Sequence, residues 1–353
     1  MKPVYLAGRG LACSLGLDIA QALASLPHPP APSAYPLPGS INGSYPFYAI
    51  SSRAASWNER ARQLICRVAE EAGAEQARQG VLFIATSSLD IGAAEQGAAE
   101  LNLDVFSDKI AGWLDWQGPV YVVSTACTSG LNALLAAHAM LRGGEMDEAL
   151  VLGLELENRV TLGGFAALQL LSPTGCRPFG AGRDGLVLGE AVAALRLSAR
   201  AQAQWRILGG ANVVDGSQPT SASPDAVEAM YQRALAASGL EPRDIDLIKV
   251  QAAGSPGNDA VEAQGLRQAF PELPALLSLK AALGHAMGAS GVAEIALLTA
   301  CLEQGAWPQG THETDASLEI SLATRMPRHV RRVLATILGF GGGHATLALE
   351  RSI

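Results

Sequence analysis

The 353-residue sequence has few charged residues, no excess of positive charge, no paired cysteines and no long uncharged apolar stretch. Charged residues make up 16% of the chain and hydrophobic residues 49%, a balance that allows a large buried core. The formal net charge of −8 argues against non-specific binding to nucleic acid, because a phosphate backbone requires clustered lysine and arginine in excess. We therefore expect no nucleic-acid partner.

The five cysteines are odd in number and widely spaced, and no Cys-x-x-Cys pair occurs. This pattern argues against a disulfide framework and a zinc site, and it favours a reducing compartment. We predict no metal and no cofactor. The first apolar run is short and interrupted, so we interpret it as a strand rather than a secretory leader. No stretch approaches the ~18 uncharged residues of a membrane span, which makes the cytoplasm the expected location.

Cys127 stands between a short apolar run and a segment with helical periodicity. Residues 121–123 predict a buried strand, and residues 131–141 carry leucines at helical spacing until two glycines end the pattern. A thiol at the start of a helix faces unpaired backbone N–H groups and the positive end of the helix dipole, which favour the thiolate. The position suits a nucleophile. The alternative is a small buried hydrophobic residue, as most free cysteines are.

Three further motifs follow this turn, and each contains glycine. They are Arg177-Pro178-Phe179-Gly180 with its continuation to Glu190, the segment from Lys280 to Gly291, and Gly339-Phe340-Gly341-Gly342-Gly343-His344. In this order and with Thr125-Ala126-Cys127, they resemble the β-ketoacyl-acyl-carrier-protein synthases, the condensing enzymes of fatty acid and polyketide assembly. The resemblance covers nearly the whole chain. A thiolase or a coenzyme A hydrolase explains these motifs less well.

The resemblance implies an α/β, thiolase-like fold in which duplicated halves form five layers, α-β-α-β-α. Two successive sets of predicted strands and helices agree with such a repeat. We place the N-terminal half, with the nucleophile, at residues 1–200 and the C-terminal half, with the Lys/His motif and the glycine turn, at 201–353. Predicted strands lie near residues 4–10, 81–86, 121–123, 149–155, 190–197, 205–214, 245–250, 333–338 and 345–350. Predicted helices lie near residues 18–26, 57–76, 110–116, 131–141, 224–238 and 291–302.

The same resemblance assigns the catalytic roles. Cys127 would accept the acyl chain, and the backbone N–H of Phe340 would join that of Cys127 in an oxyanion hole. His285 would donate to the oxygen of a malonyl thioester. Lys280 would set the local electrostatics, with Glu262 as the carboxylate partner that the family pattern implies.

Other residues would support the substrate pocket. Phe340 resembles the family's gating aromatic beside the acyl pocket, with Gly341 next to it in the turn. Phe165 belongs to a segment on which pocket depth depends. Asp259 lies with Glu262 in the segment that matches the family's Asn-Asp-x-x-Glu pattern.

Three positions depart from the family pattern. Ala253 stands where the family has its first catalytic histidine, and the loop that follows is two residues shorter. His344 replaces an asparagine, and Gly180 replaces an aspartate. Loss of one enolate donor predicts weak or altered decarboxylative condensation, whereas acyl transfer to Cys127 should be less affected. We do not expect His344 to fill the gap, since its ring would have to reach past the glycine turn.

The resemblance also implies partners. An acyl carrier protein would deliver the acyl chain, and Arg53, Arg60 and Arg62 are candidates for docking it; a solvated helix face explains these arginines equally well. The chain would act as a homodimer or as a heterodimer with an intact ketosynthase. The missing histidine favours a non-catalytic partner of the chain-length-factor type, whereas the retained Cys127 favours a working, divergent synthase subunit.

Overall fold

The computed structural model describes residues 2–97, 101–216, 220–310 and 312–352. Within these ranges the chain forms thirteen strands and ten α-helices. The strands are β1 (Val4–Cys13), β2 (Ser33–Pro36), β3 (Ser44–Tyr48), β4 (Val81–Ala85), β5 (Val120–Val123), β6 (Glu148–Glu155), β7 (Leu188–Gly189), β8 (Ala191–Ser198), β9 (Trp205–Val214), β10 (Leu247–Lys249), β11 (Ala275–Leu277), β12 (Arg332–Leu338) and β13 (Gly343–Arg351). The helices are α1 (Ile19–Ser25), α2 (Trp57–Glu71), α3 (Ile91–Glu95), α4 (Leu103–Trp113), α5 (Ser129–Gly143), α6 (Arg159–Ala167), α7 (Pro224–Ser238), α8 (Pro256–Ala269), α9 (Lys280–Leu283) and α10 (Ser290–Gln304).

The sheet topology repeats itself between the two halves of the chain. In the described part of the chain, ten strands are hydrogen-bonded in the order β11-β10-β12-β13-β9-β1-β8-β6-β4-β5. From the central β9/β1 junction outward, the N-terminal half has the order β1, β8, β6, β4, β5 and the C-terminal half the order β9, β13, β12, β10, β11. Counted along the chain within this sheet, both orders are first, fifth, fourth, second and third. In both halves the inner pairs are antiparallel and the outer pairs parallel. The boundary proposed at residue 200 lies between β8 and β9, in the connection that joins the two repeats.

The two half-sheets enclose a central layer that consists of α5 and α10. Side chains alternate along each strand: Leu82 and Ile84 of β4 pack towards the outer helices α2 and α4, and Val81 and Phe83 pack towards the central layer. Helices α7 and α8 cover the outer face of the C-terminal half-sheet. The resulting five layers, α-β-α-β-α, are those expected from the sequence.

Helices α5 and α10 approach each other closely at a pair of glycines. A Cβ atom on Gly130 would lie 2.9 Å from the backbone nitrogen of Val292, and one on Gly291 would lie 2.7 Å from that of Leu131. Any larger residue at either position would push the helices apart. This contact fixes the start of α5, which follows Cys127, against the start of α10, which follows the Lys280–His285 motif.

Most predicted elements are confirmed, and two expectations are wrong. The helix predicted at residues 110–116 begins earlier, at Leu103, because Asn102 provides the N-terminal cap. The strand predicted to be buried at residues 121–123 is β5, which lies at the edge of the sheet with Tyr121 exposed. Residues 27–38 contain six prolines and form no central strand. Part of this segment pairs as β2 in a small separate sheet, β2-β3-β7. No helix in the described ranges is long and apolar enough to cross a bilayer.

Candidate active site

Cys127 lies in a strained turn between β5 and α5. The preceding residue, Ala126, has a positive φ of 51°, which is uncommon for a residue with a side chain. Ser129 holds the turn: its Oγ accepts from the backbone N–H of Thr125 at 2.9 Å and donates to the carbonyl of Ala126 at 2.6 Å. The turn buries the thiol and directs it towards the C-terminal half.

His285 meets Cys127 across the two halves of the chain. Its Nε2 lies 3.0 Å from the Cys127 Sγ, and its Nδ1 lies 3.2 Å from the Oγ of Ser290. Burial, together with the positive charges of Lys280 and Lys249, holds the pKa of His285 well below its usual range. The imidazole is therefore neutral at pH 7, so it can take the proton of the thiol or donate one N–H to an acyl oxygen.

The carboxylate partner of Lys280 is Glu294 of α10, so the expectation that Glu262 fills this role is wrong. Lys280 Nζ forms a fully buried ion pair with Glu294 and donates to the Oγ of Ser290 at 3.2 Å. Lys249 Nζ pairs with the other oxygen of Glu294 at 2.5 Å. Burial acts to raise the pKa of Glu294, but the charges of the two lysines outweigh it and lower that pKa.

The Cys127 thiol is not the low-pKa thiolate that the start of a helix suggested. Burial raises the pKa of Cys127 to about 11, although Lys280 and the backbone N–H groups of Phe340 and of Cys127 itself act to lower it. The desolvation effect wins because the side chain is almost completely removed from solvent. The resting group is thus a neutral thiol in contact with a neutral imidazole.

The glycine turn between β12 and β13 brings Phe340 over the thiol. The N–H of Gly339 donates to the carbonyl of Gly343 at 2.8 Å and closes the turn. Gly342 has φ +75°, and a Cβ there would lie 1.7 Å from the carbonyl oxygen of Asp215, so only glycine fits. The ring of Phe340 stacks on Phe165 with ring centroids 5.5 Å apart. Gly341 is exposed at the tip of the turn.

The carboxylates of α8 hold the loop that contains Ala253. Glu262 accepts from the backbone N–H groups of Gln251 and Ala252, each at 2.7 Å. Asp259 accepts from those of Ala253 at 3.2 Å and of Gly254 at 3.0 Å. Burial raises the pKa of Glu262 to about 8 and that of Asp259 to about 6. Both carboxyl groups also line the cavity beside the thiol, and neither forms an ion pair with Lys280, which pairs with Glu294.

A cavity of about 30 Å³ lies beside the thiol, with room for about one or two water molecules. It is lined by residues of both halves, among them Cys127, Phe165, Gln251, Ala253, His285, Phe340 and His344. The expectation that the glycine turn separates His344 from this place is wrong. Strand β13 runs inward directly after the turn, so its second residue faces the cavity.

The three arginines proposed for docking differ in their surroundings. Arg60 makes a two-pronged ion pair with the buried Glu190, at 2.6 and 2.7 Å, and also donates to the carbonyl of Ile50. Its guanidinium is thus engaged inside the protein and unsuited to docking. Arg53 and Arg62 are exposed, and their proposed docking role stays a prediction.

Glu294, Ser290 and Lys249 form a buried network with Lys280 and His285, and the sequence motifs did not indicate them. A signal was available for Glu294: it is the one charge within the first thirteen residues of an otherwise apolar or small-residue helix. A buried carboxylate requires a cationic partner. That reasoning leads to Lys280 and Lys249 once the helix is recognised as central.

Family models match most of this chain. "Beta-ketoacyl synthase, N-terminal domain" matches residues 69–203, and "Beta-ketoacyl synthase, C-terminal domain" matches residues 206–314. The chain belongs to the β-ketoacyl synthase family. Together the two matches include the Cys127 turn and the Lys280–His285 motif.

Curated relatives within this family are longer than the chain. It is 32% identical to a mycocerosic acid synthase-like polyketide synthase of Mycolicibacterium smegmatis over 72% of this chain and 13% of that protein. It is 31% identical to 3-oxoacyl-[acyl-carrier-protein] synthase 2 of Mycobacterium leprae over 64% of this chain and 59% of that protein. The chain therefore spans about three fifths or less of the length of these relatives.

Solved ketosynthase structures share the whole fold. The ketosynthase ApeO in complex with its chain length factor ApeC, from Xenorhabdus doucetiae, matches with a TM-score of 0.87 at 22% identity, over 99% of this chain and 98% of the matched chain. The ishigamide ketosynthase/chain length factor matches with a TM-score of 0.86 at 23% identity over both full chains. The predicted thiolase-like fold and the family are thereby confirmed.

Proposed function

We propose that this β-ketoacyl synthase family member accepts an acyl chain on Cys127 from an acyl carrier protein during fatty acid or polyketide assembly. The observation that carries the proposal is the contact of 3.0 Å between Cys127 Sγ and His285 Nε2, beside a small, partly open cavity. A nucleophile and a base within hydrogen-bond reach are the minimum apparatus for acyl transfer. The backbone N–H groups of Cys127 and Phe340 face the same sulfur and suit a tetrahedral oxyanion.

The acyl transfer follows from these contacts. As the sulfur attacks the carrier thioester, His285 takes the thiol proton, and the backbone N–H groups of Cys127 and Phe340 stabilise the oxygen that gains charge. Collapse of the tetrahedral species breaks the carbon–sulfur bond to the carrier, whose thiolate leaves with the proton from His285. The acyl group then needs more space than the present cavity offers, so Phe340 and Phe165 must separate to admit it.

A second candidate function rests on Ala253. With no imidazole at that position, the chain would serve as a chain-length-factor-like partner that supports an intact ketosynthase. Structures of ketosynthases with their chain length factors match this fold, which suits a heterodimer. The intact Cys127–His285 contact favours the catalytic proposal, because a partner without chemistry has no need for it.

Intact-mass spectrometry with acyl-loaded carrier protein tests the proposal. We expect a mass increase equal to one acyl group, lost in Cys127→Ala and retained in the control Cys66→Ala, a half-buried cysteine on α2. Absence of any adduct would contradict the catalytic proposal. If Cys127→Ala then still supported full product formation by an intact synthase, the partner function would stand instead.

The docking part of the proposal is tested separately. Exchange of the exposed Arg53 and Arg62 for glutamate should weaken binding of the acidic carrier protein, and the effect should diminish at high salt. Arg78→Glu, another exposed arginine, provides the control. Equal loss of binding in the control would refute a specific role for these two arginines.

A further inference from the structure

His344 is a buried imidazole that lines the cavity beside Cys127, and its polar neighbours among the described residues are the backbone of Gly343 and the carboxylate of Asp215. Its side chain is 1% exposed, and neither Nδ1 nor Nε2 is paired with another of the described residues. Buried polar groups in folded proteins are almost always paired, and leaving one unpaired costs stability. An imidazole so placed can pair with a substrate oxygen that enters this cavity.

The fold keeps His344 in this place. Strand β13 pairs His344 with Leu338 of β12 on one side and with Val213 of β9 on the other, so its backbone cannot turn away. The close fit of Gly342 against Asp215 fixes the preceding turn. The imidazole is held by a three-stranded segment of the sheet rather than by a mobile loop.

The cavity has the chemistry to receive a developing negative charge. Burial lowers the pKa of His344, and the charge of Asp215 and the backbone of Gly343 oppose this shift more weakly. The ring is therefore neutral, with one nitrogen that donates a hydrogen bond and one that accepts. His285 provides a second neutral imidazole in the same cavity, beside the thiol. Ala253 lines the same cavity with only a methyl group.

We propose that His344 is a catalytic hydrogen-bond donor to the malonyl thioester oxygen, working opposite His285 from β13. The inference rests on the proposed function. In this step the bond between the malonyl carboxylate and its methylene carbon breaks, carbon dioxide leaves, and the electron pair forms an enolate whose oxygen accepts from both imidazoles. The enolate carbon attacks the acyl thioester, the carbon–sulfur bond to Cys127 breaks, and the sulfur regains a proton that His285 passes on from the solvent.

With His344 as a donor, the replacement of the family's histidine by Ala253 no longer predicts weak decarboxylation. The second donor is supplied by a different strand, so the chain retains two imidazoles for the enolate. Gln251 also lines the cavity, and its Oε1 is likewise without a partner in the described ranges. The amide oxygen can only accept, but the amide nitrogen of the same side chain can donate, so Gln251 is a second candidate donor beside His344.

Two substitutions of His344 by residues of similar size distinguish the loss of the N–H donor from a change in side-chain volume. His344→Gln keeps a side-chain N–H, whereas His344→Leu has none. The full chain, assayed alone, is given malonyl-loaded carrier protein, and carbon dioxide release and the acetyl-loaded product are measured. Acylation of Cys127 by acyl-loaded carrier is measured in parallel. We expect His344→Leu to slow decarboxylation about 100-fold, at least tenfold more than it slows acylation, and His344→Gln to retain most of the rate.

Three results would overturn the inference: decarboxylation in His344→Leu at the unmodified rate, equal loss of both half-reactions in both variants, or no carbon dioxide from the unmodified protein. The last result would leave acyl transfer to Cys127 standing. Conversely, a decarboxylation that depends on His344 in a protein that is never acylated would support the inference and refute the acyl transfer. The two proposals therefore fail separately.

Discussion

The proton of Cys127 is subject to two opposing effects. Backbone N–H groups and the charge of Lys280 favour the thiolate, and removal from water favours the thiol. Burial prevails because solvation of a full negative charge is worth more than a few partial charges at the start of a helix. The resting group is thus a neutral thiol, and the proposed acyl transfer depends on His285 for proton removal at the moment of attack.

This balance predicts an unusual pH dependence of thiol reactivity. With a pKa of about 11, the thiolate fraction should increase about tenfold for each pH unit between pH 7 and pH 9. We expect the rate of alkylation of Cys127 by iodoacetamide to follow that increase. Peptide mass spectrometry measures the rate, and Cys127→Ala identifies the label. A rate that has already reached its plateau at pH 7 would show instead that the helix start and Lys280 outweigh burial.

Four site residues were predictable because each lies in a contiguous motif: Cys127, Lys280, His285 and Phe340. The partner of Lys280, Glu294, lies outside these motifs, fourteen residues further along the chain, and its one signal was an isolated charge within an apolar helix. The orientation of His344 was also beyond reach. It depends on where β13 resumes after the glycine turn, and a side chain in a strand changes face when the register shifts by one residue.

Helix α8 acts on the site through the backbone of the loop at residues 251–254. Its two carboxylates accept four backbone N–H groups of that loop, so the loop conformation depends on this helix and not on its own sequence. The loop is the shortened segment in which Ala253 stands. Asp259 and Glu262 thus hold the loop in place with Ala253 at the position where the family pattern has its histidine.

The two hydrogen bonds that Glu262 accepts predict a measurable effect of its substitution on the free energy of unfolding. Glu262→Ala leaves two buried N–H groups unpaired and should lower the free energy of unfolding by about 2–5 kcal/mol. The raised pKa of about 8 means that the folded state binds a proton which the unfolded state releases near pH 4.5. The contribution of Glu262 to the free energy of unfolding is complete below about pH 4.5 and is lost as the pH rises through 8. The free energy of unfolding falls by at most about 1.4 kcal/mol per pH unit in this range.

Urea unfolding at pH 5, 6.5 and 8 measures this dependence. Glu262→Gln cannot titrate, so the stability difference between the unmodified protein and this variant should shrink as the pH rises. The exposed Glu272→Gln is the control, with a difference that stays constant. A difference that grows with pH would mean that Glu262 is ionised in the folded protein.

The strands and helices were largely predictable from local patterns, and their places in the sheet were not. Helix α7 has the predicted range of residues 224–238, and Ser223 and Gly239 cap its two ends. Strand β5 has the same apolar sequence whether it lies at the centre or at the edge of a sheet, since three residues carry too little periodicity to decide. Only the complete strand order shows that it is an edge.

At the scale of the whole molecule, the repeat creates one site from two halves. Each half provides one helix of the central layer, and Cys127 precedes the first of these helices while His285 precedes the second. The glycine contact between α5 and α10 sets the distance between them. Neither half alone contains both the thiol and the imidazole, so the proposed chemistry requires the complete double fold.

The open edge of the sheet predicts how the molecule pairs. Strand β5 has no neighbour beyond it in the described sheet, and its Tyr121 is 47% exposed while its ring stacks on Phe83. Exposed strand edges tend to pair with another strand. A second copy related by a two-fold axis would set β5 against β5, with each Tyr121 close to the axis. We therefore predict a homodimer through this edge.

Tyr121→Arg tests that dimer, because two-fold symmetry brings the new charges together at the contact. We expect sedimentation velocity to show a dissociation constant increased by at least about tenfold, since like charges at an interface cost several kcal/mol. Gln232→Arg adds the same charge on the exposed face of α7 and should sediment as the unmodified dimer. Were Tyr121→Arg to remain fully dimeric, β5 would not be the contact. Were the unmodified protein monomeric and β5 to pair only when an intact synthase is added, the edge would serve a heterodimer, as the partner function requires.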